Sequence, residues 1–169
     1  MHRLFLVWVV LQFFSSGIMA RELPISLLPV NVVGVQLHPE TQTPVVLLVD
    51  PESDGLVPIW ISAQQAQAIH LAMSSQSTPR PMTHDTTVAI MRSLEGELDR
   101  LIIDQMTENT YLGLLEIVSP HSDPIFLDVR PSDGLALAVR TGAAVWVARE
   151  LLVYPDASGR WQPRVGPSL

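Results

Sequence analysis

Apolar residues along this chain fall into runs of two kinds, and the switch between them predicts the order of elements. Residues 30–37, 45–49 and 56–61 are short stretches rich in Val, Ile and Leu, the composition of β-strands. Asp50, Pro51, Glu52, Ser53, Asp54 and Gly55 separate the last two, and these turn formers predict a hairpin. The period then changes. Ser62 with Gln65 three positions on makes a capping box, and Ala66, Ile69, Ala72 and Met73 recur at helical spacing, with a stop expected between Ser74 and Ser77. Pro79 and Pro81 force an extended path before a second helix, expected over residues 86–94 with Val88, Met91 and Leu94 inward and Gly96 as its stop.

Residues 98–106 and 111–118 are again strand-like, and the polar link Thr107-Glu108-Asn109-Thr110 predicts a second hairpin. A further strand over 125–129 follows the loop from Ser119 to Pro124. Arg130-Pro131-Ser132-Asp133 opens a third helix, since Pro suits a first turn and Asp133 complements the helix dipole. Leu135, Ala138 and Val139 form its expected buried stripe, Gly142 closes it, residues 144–148 make a last strand, and residues 149–152 a final turn. The pattern predicts one α+β domain of mixed or antiparallel hairpins with about three helices, spanning residues 30–153. Residues 21–29, with Pro24 and Pro29, read as a connector, and residues 154–169, rich in Pro, Gly and polar groups, as a disordered tail. The chain has 169 residues, enough for one domain with a sizeable core and too few for two comfortable ones.

The N-terminus has a different logic. His2 and Arg3 precede an unbroken apolar run from Leu4 to Leu11 that continues through Phe13 and Phe14, and small residues lead to Ala20. This is the layout of a signal peptide over residues 1–20, shorter than the ~20 apolar residues needed to span a bilayer. A periplasmic or secreted protein with no stable membrane insertion after cleavage is therefore expected. The chain has no cysteine, which excludes both a disulfide and a lipidated N-terminal Cys.

All ten basic residues are Arg, against 17 acids, for a net charge of −7. Counterion release supplies most nonspecific nucleic-acid affinity, so this balance argues against tight nonspecific DNA binding and leaves room only for a local Arg cluster. Two constellations place Arg, Pro and an acid at a helix entrance, namely Arg80-Pro81-Met82-Thr83-His84-Asp85 and Arg130-Pro131-Ser132-Asp133. Helix N-termini attract phosphates and carboxylates, and Arg80, Arg130 and Arg140 are candidate substrate-binding cations. His84 is the candidate general base, with Asp85 and Asp133 as candidate catalytic acids. If the fold converges them, Asp85, Asp128 and Asp133 could hold Mg²⁺ or another divalent ion. The plain alternative is that Thr83 or Asp85 caps one helix and Ser132 or Asp133 the other, with no ligand involved. No Walker loop, GxGxxG, HExxH or CxxC is present.

Pro58-Ile59-Trp60-Ile61, Ala66-Gln67-Ala68-Ile69, the Arg80 to Asp85 segment, Arg130-Pro131-Ser132-Asp133-Gly134-Leu135-Ala136-Leu137-Ala138 and Arg140-Thr141-Gly142 resemble, in order, the successive motifs of the bifunctional nuclease domain family. The resemblance covers about 120 residues. It implies an α+β domain, often self-associating, with nuclease activity on DNA and RNA, so a homo-oligomer and a DNA or RNA partner are expected. One departure stands out, because the family commonly has Glu where this chain has Gln65. If that Glu were a metal ligand or base, Gln would weaken the catalytic reading; if it only completes the capping box, Gln serves equally. A non-catalytic, ligand-binding or oligomeric envelope module with the same fold is the rival reading.

Overall fold

A computed structural model describes residues 23–76, 78–157 and 160–161. The expected signal peptide, residues 1–20, lies outside them, as do residues 162–169 of the expected tail. Seven strands and three α-helices follow the order β1 (Leu27–Leu37), β2 (Pro44–Val49), β3 (Leu56–Trp60), α1 (Ala63–Met73), α2 (Thr83–Ser93), β4 (Glu97–Thr107), β5 (Thr110–Ser119), β6 (Ser122–Val129), α3 (Pro131–Thr141) and β7 (Ala144–Ala148). A 3-10 turn at Arg149–Leu151 completes the series. This is an α+β domain. No helix among the described residues is long and apolar enough to cross a membrane.

The strands form one mixed sheet in the order β3-β2-β1-β7-β4-β5-β6. Every neighbouring pair is antiparallel except β4 and β7, which run parallel. β1 joins the two halves. Its first residues, Leu27 to Val30, pair with β7, and from Asn31 onward it pairs with β2, with a register shift between Val32 and Gly34. Gly34 sits there at φ +147, a backbone conformation glycine adopts freely. The strand begins earlier than its two prolines suggest. Pro29 is tolerated because only β7 pairs with β1 at that position, so no second ladder requires its missing N–H.

The core lies between the sheet and the helices, around Val46, Leu48, Ile69, Leu101, Ile103, Leu135 and Val147. α1 begins as expected. Ser62 Oγ accepts from Gln65 N–H and Gln65 Oε1 accepts from Ser62 N–H, the two halves of the capping box. α2 begins three residues before its expected start, because Asp85 Oδ2 accepts from Met82 N–H at 2.8 Å and makes Met82 the N-cap. Its C-terminus also differs from expectation. Glu95, not Gly96, takes the left-handed conformation at φ +59, with Glu95 N–H donating to Arg92 C=O and Gly96 N–H to Met91 C=O. Leu94 is 75% exposed rather than inward. That pattern of bonds turns the chain toward β4 just after Leu94, so its side chain misses the core.

α3 is buried well beyond the expected stripe, with Pro131, Ser132, Gly134, Leu135, Ala136, Leu137 and Ala138 all withdrawn from solvent. It packs between α1, α2 and the sheet. Gly134 permits this approach, since a Cβ there would stand 2.5 Å from Leu101 Cδ1.

The left-handed Glu95 yields a stability prediction. An L-residue in that conformation costs about 1–2 kcal/mol, and glycine's extra unfolded-state entropy offsets about half of the relief. Glu95→Gly should therefore stabilise the protein by about 0.5–1 kcal/mol. A shift of the urea midpoint in the opposite direction would show that the exposed Glu95–His121 pair matters more than the backbone.

Candidate active site

The α3 entrance and the first turn of α2 meet. Arg130 is the N-cap of α3, Pro131 its first residue and Asp133 its third, while His84 is the second residue of α2. His84 Nε2 lies 3.4 Å from Asp133 Oδ1, at the long end of hydrogen-bonding distance. The other oxygen of Asp133 receives Arg130 Nε at 2.8 Å and Nη2 at 2.7 Å. A carboxylate only accepts, so the His84 nitrogen that faces Asp133, Nε2, is the one that carries a proton there. His84 is 18% and Asp133 27% exposed, whereas Arg130 is 74% exposed, so the guanidinium reaches into solvent from a semi-buried dyad.

The neighbouring carboxylate has a different setting. Asp85 Oδ1 accepts from Arg140 Nε at 2.6 Å and Oδ2 accepts from Met82 N–H. Arg140 is only 9% exposed and also donates through Nη1 to Ala136 C=O at 2.8 Å. These bonds hold Asp85 below the usual carboxylate range, with the Arg140 hydrogen bond the main cause and the Met82 N–H next. Both oxygens are committed to structure. Asp85 caps α2 and clamps it to α3, which is the capping role the sequence allowed for it, and Arg140 is the buried partner of that clamp rather than an open cation.

Arg80 lies on the extended segment before α2, with its residue exposed and its carbonyl accepting from Thr78 Oγ1. Asp128 is on the outer strand β6, opposite Leu114 and exposed. Among the described residues no three His, Asp or Glu side chains gather as a metal-binding group. Asp85, Asp128 and Asp133 are therefore not brought together as the metal trio that convergence would have required. The site consists of His84, Asp133 and Arg130, with Asp85 and Arg140 behind it. A separate hollow lined by Arg92, Glu95, Glu97 and His121 lies at the other end of α2.

Sequence reasoning missed one member of this arrangement. Gln65 Nε2 donates to Ser132 Oγ at 2.7 Å, tying the first turn of α1 to the first turn of α3, and Ser132 is buried. The side-chain orientation is dictated by chemistry, because Ser62 N–H can only donate and must face the amide oxygen, leaving the amide nitrogen for Ser132. Gln65 thus both closes the capping box and links two helices. Three helix entrances are fastened at the same place.

Residues 46–157 match the family model for the bifunctional nuclease domain. An uncharacterized protein found in two strains of Mycobacterium tuberculosis is 32% identical over 139 residues, covering 76% of this chain and 79% of that protein. A protein of Oryza sativa subsp. japonica called bifunctional nuclease 2 is 25% identical over 124 residues, covering 72% of this chain but only 38% of its own length. The chain belongs to the bifunctional nuclease domain family.

The Asp85–Arg140 clamp sets a pH dependence. A carboxyl held below its unfolded value, about 3.9, contributes stability that is present above that value and is lost as pH falls through the lower folded one. Asp85→Asn should cost about 0.5–1 kcal/mol at pH 7, because Arg140 loses its charged partner while solvent screens a carboxylate that is 39% exposed. The gap between the two proteins should narrow as pH drops below about 4. Urea melts at pH 7, 4 and 3 test this, and a gap that stays constant with pH would contradict the clamp.

Proposed function

We propose that this protein is an exported phosphodiester hydrolase acting on DNA or RNA, with His84 as general base, Asp133 as its positioning partner and Arg130 as the phosphate grip. The single observation that carries the reading is the convergence of His84, Asp133 and Arg130 from two helix entrances 49 residues apart in sequence. Family membership and the name of the rice relative point to the same reaction class. Export rests on the signal-peptide layout of residues 1–20.

In this reading His84 Nδ1 takes a proton from a water, the resulting hydroxide attacks phosphorus, and the bond to the departing oxygen breaks. The departing oxygen takes its proton from bulk water. Asp133 holds the imidazole in the tautomer that exposes Nδ1 and stabilises the imidazolium that forms. The backbone N–H groups of Asp133 and Gly134 both turn back to Arg130 C=O, so an anion at this entrance relies on the Arg130 side chain. The residues do not form a ready divalent-ion site. Asp133 faces His84 and Arg130, Asp85 faces Arg140 and Met82 N–H, and no step here passes through a metal.

The non-catalytic reading is favoured by the net charge of −7, which weakens attraction to a polyanion, and by Gln65 standing where the family commonly has Glu. Assays on single-stranded DNA and RNA, with Mg²⁺ and with chelator, separate the two. Cleavage is expected, and His84→Gln and Asp133→Asn should each lower it by a factor of ~10² or more while the melting temperature changes little. Arg130→Ala should mainly raise KM. Full activity in a folded Asp133→Asn protein would sink the mechanism, and no cleavage under any condition would leave the binding-module reading standing.

A further inference from the structure

The Asp85–Arg140 clamp faces a hollow. It lies between the last turn of α1, the entrance of α2 and the side of α3, with a volume of about 390 Å³, and Leu71, Ala72, Met82 and Val139 give it apolar walls beside the two charged groups. That is room for a small planar molecule. Arg140 is 9% exposed and spends Nε on Asp85 and Nη1 on Ala136 C=O. Its third nitrogen, Nη2, has no hydrogen-bond partner among the described residues, although the residue lines the hollow. Asp85 also has capacity to spare. Each of its two oxygens can accept twice, and each holds one donor, Arg140 Nε on one and Met82 N–H on the other.

We propose that this hollow binds a guanine base, with Arg140 Nη2 donating to O6 and the Asp85 carboxylate accepting from N1–H and the N2 amino group. The two protein groups set the chemistry. Nε and Nη2 belong to one rigid planar head, so the unspent donor stands beside the carboxylate that Nε holds. A ligand must therefore present an acceptor next to donors. The charges of Arg140 and Asp85 offset each other, which disfavours a phosphate or carboxylate and suits a neutral ring between the apolar walls. Guanine carries one acceptor, O6, with two donor groups in line beside it, and a carboxylate can take both donors at once. Adenine, cytosine and uracil each bring a single donor group to that edge and leave one place empty. Burial of the guanidinium sharpens the choice, because a withdrawn donor that finds no acceptor costs binding energy.

The same edge is presented by an unpaired guanine in a strand and by a free guanine nucleotide. Position links the hollow to the neighbouring dyad. Nη1 bonds Ala136 C=O, so the guanidinium stands about one helical turn, roughly 5 Å, beyond Asp133 along α3. The two arginines divide the work, since Arg130 reaches into solvent as a charge and Arg140 is held inside as a hydrogen-bond donor. The base site itself does not depend on the hydrolase reading.

Nucleosides test the base alone, without a phosphate for Arg130 to hold. In an NMR titration of the purified protein, guanosine should bind with a Kd of about 0.1–1 mM and shift the Arg140 side-chain resonance. 1-Methylguanosine, which has a methyl group in place of the N1 proton, should bind at least about tenfold more weakly, as should adenosine, cytidine and uridine. Ala72→Leu fills the hollow from a half-buried helical position and leaves Arg140 and Asp85 in place, so it should abolish guanosine binding in a protein that still folds. Tighter binding of a single-stranded oligonucleotide with one G than of 5′-GMP assigns the base to a strand, and the reverse order assigns it to a free nucleotide; both keep the base site. No saturable binding of guanosine up to about 2 mM, equal binding of 1-methylguanosine, or undiminished binding by folded Ala72→Leu would each overturn the proposal. Strand cleavage without guanosine binding would overturn it and leave the hydrolase reading intact, whereas guanosine binding without cleavage would support it alone.

Discussion

Helix α3 can lie against β4 only because residue 134 carries no side chain. A Cβ there would stand 2.5 Å from Cδ1 of the fully buried Leu101, so one of the two would have to shift. That close approach sets the height of the α3 entrance above the sheet. From it follow the reach of Arg140 to the first turn of α2, the reach of Gln65 to Ser132, and the distance from His84 to Asp133. The polar contacts of the site are therefore consequences of an apolar one. A residue that carries no chemistry fixes where the chemistry can occur.

Much of this architecture is legible in the residue pattern. The first hairpin, the capping box at Ser62, the β4–β5 hairpin and the Pro131 to Gly142 helix all appear where turn chemistry and periodicity place them. The misreadings share a cause, which is that a local signal was satisfied by a different residue. Asp85 bonds the backbone three residues before it and so starts α2 early, and Glu95 takes the left-handed position that Gly96 seemed made for. In β1 a proline that looks like a strand breaker sits where one side of the strand has no partner.

The candidate site was legible in kind but not in grouping. His84, Asp133 and Arg130 were recognisable from their places at helix entrances, yet only the fold separates them from Asp85, the residue after His84, and Arg140, seven positions beyond Asp133. The distinction is electrostatic. Asp85 has a donor on each oxygen, one of them the Arg140 guanidinium, and these hold it below the usual carboxylate range. Asp133 is shared between a solvent-reaching Arg and an imidazole, so neither of its partners is buried as Arg140 is. Asp128 falls on a strand that points elsewhere. The link from Gln65 to Ser132 spans 67 residues and has no sequence signature at all.

The pairing of β1 with β7 joins nearly the first described strand residue to nearly the last. β7 also carries the parallel contact with β4, so β1 and β7 together hold the β2–β3 hairpin and the β4–β5–β6 strands in one sheet. A ribosome delivers β7 after every other strand, and until it emerges β1 has only β2 beside it while β4 has only β5. The hairpins can form early, but the centre of the sheet must wait until β7 has emerged, a topology that favours slow, all-at-once closure over stepwise growth. It also sets the first residue of β1 opposite the last of β7, Leu27 beside Ala148, while the chain beyond runs on to the far edge of the sheet, where Val153 bridges Leu56 at the start of β3.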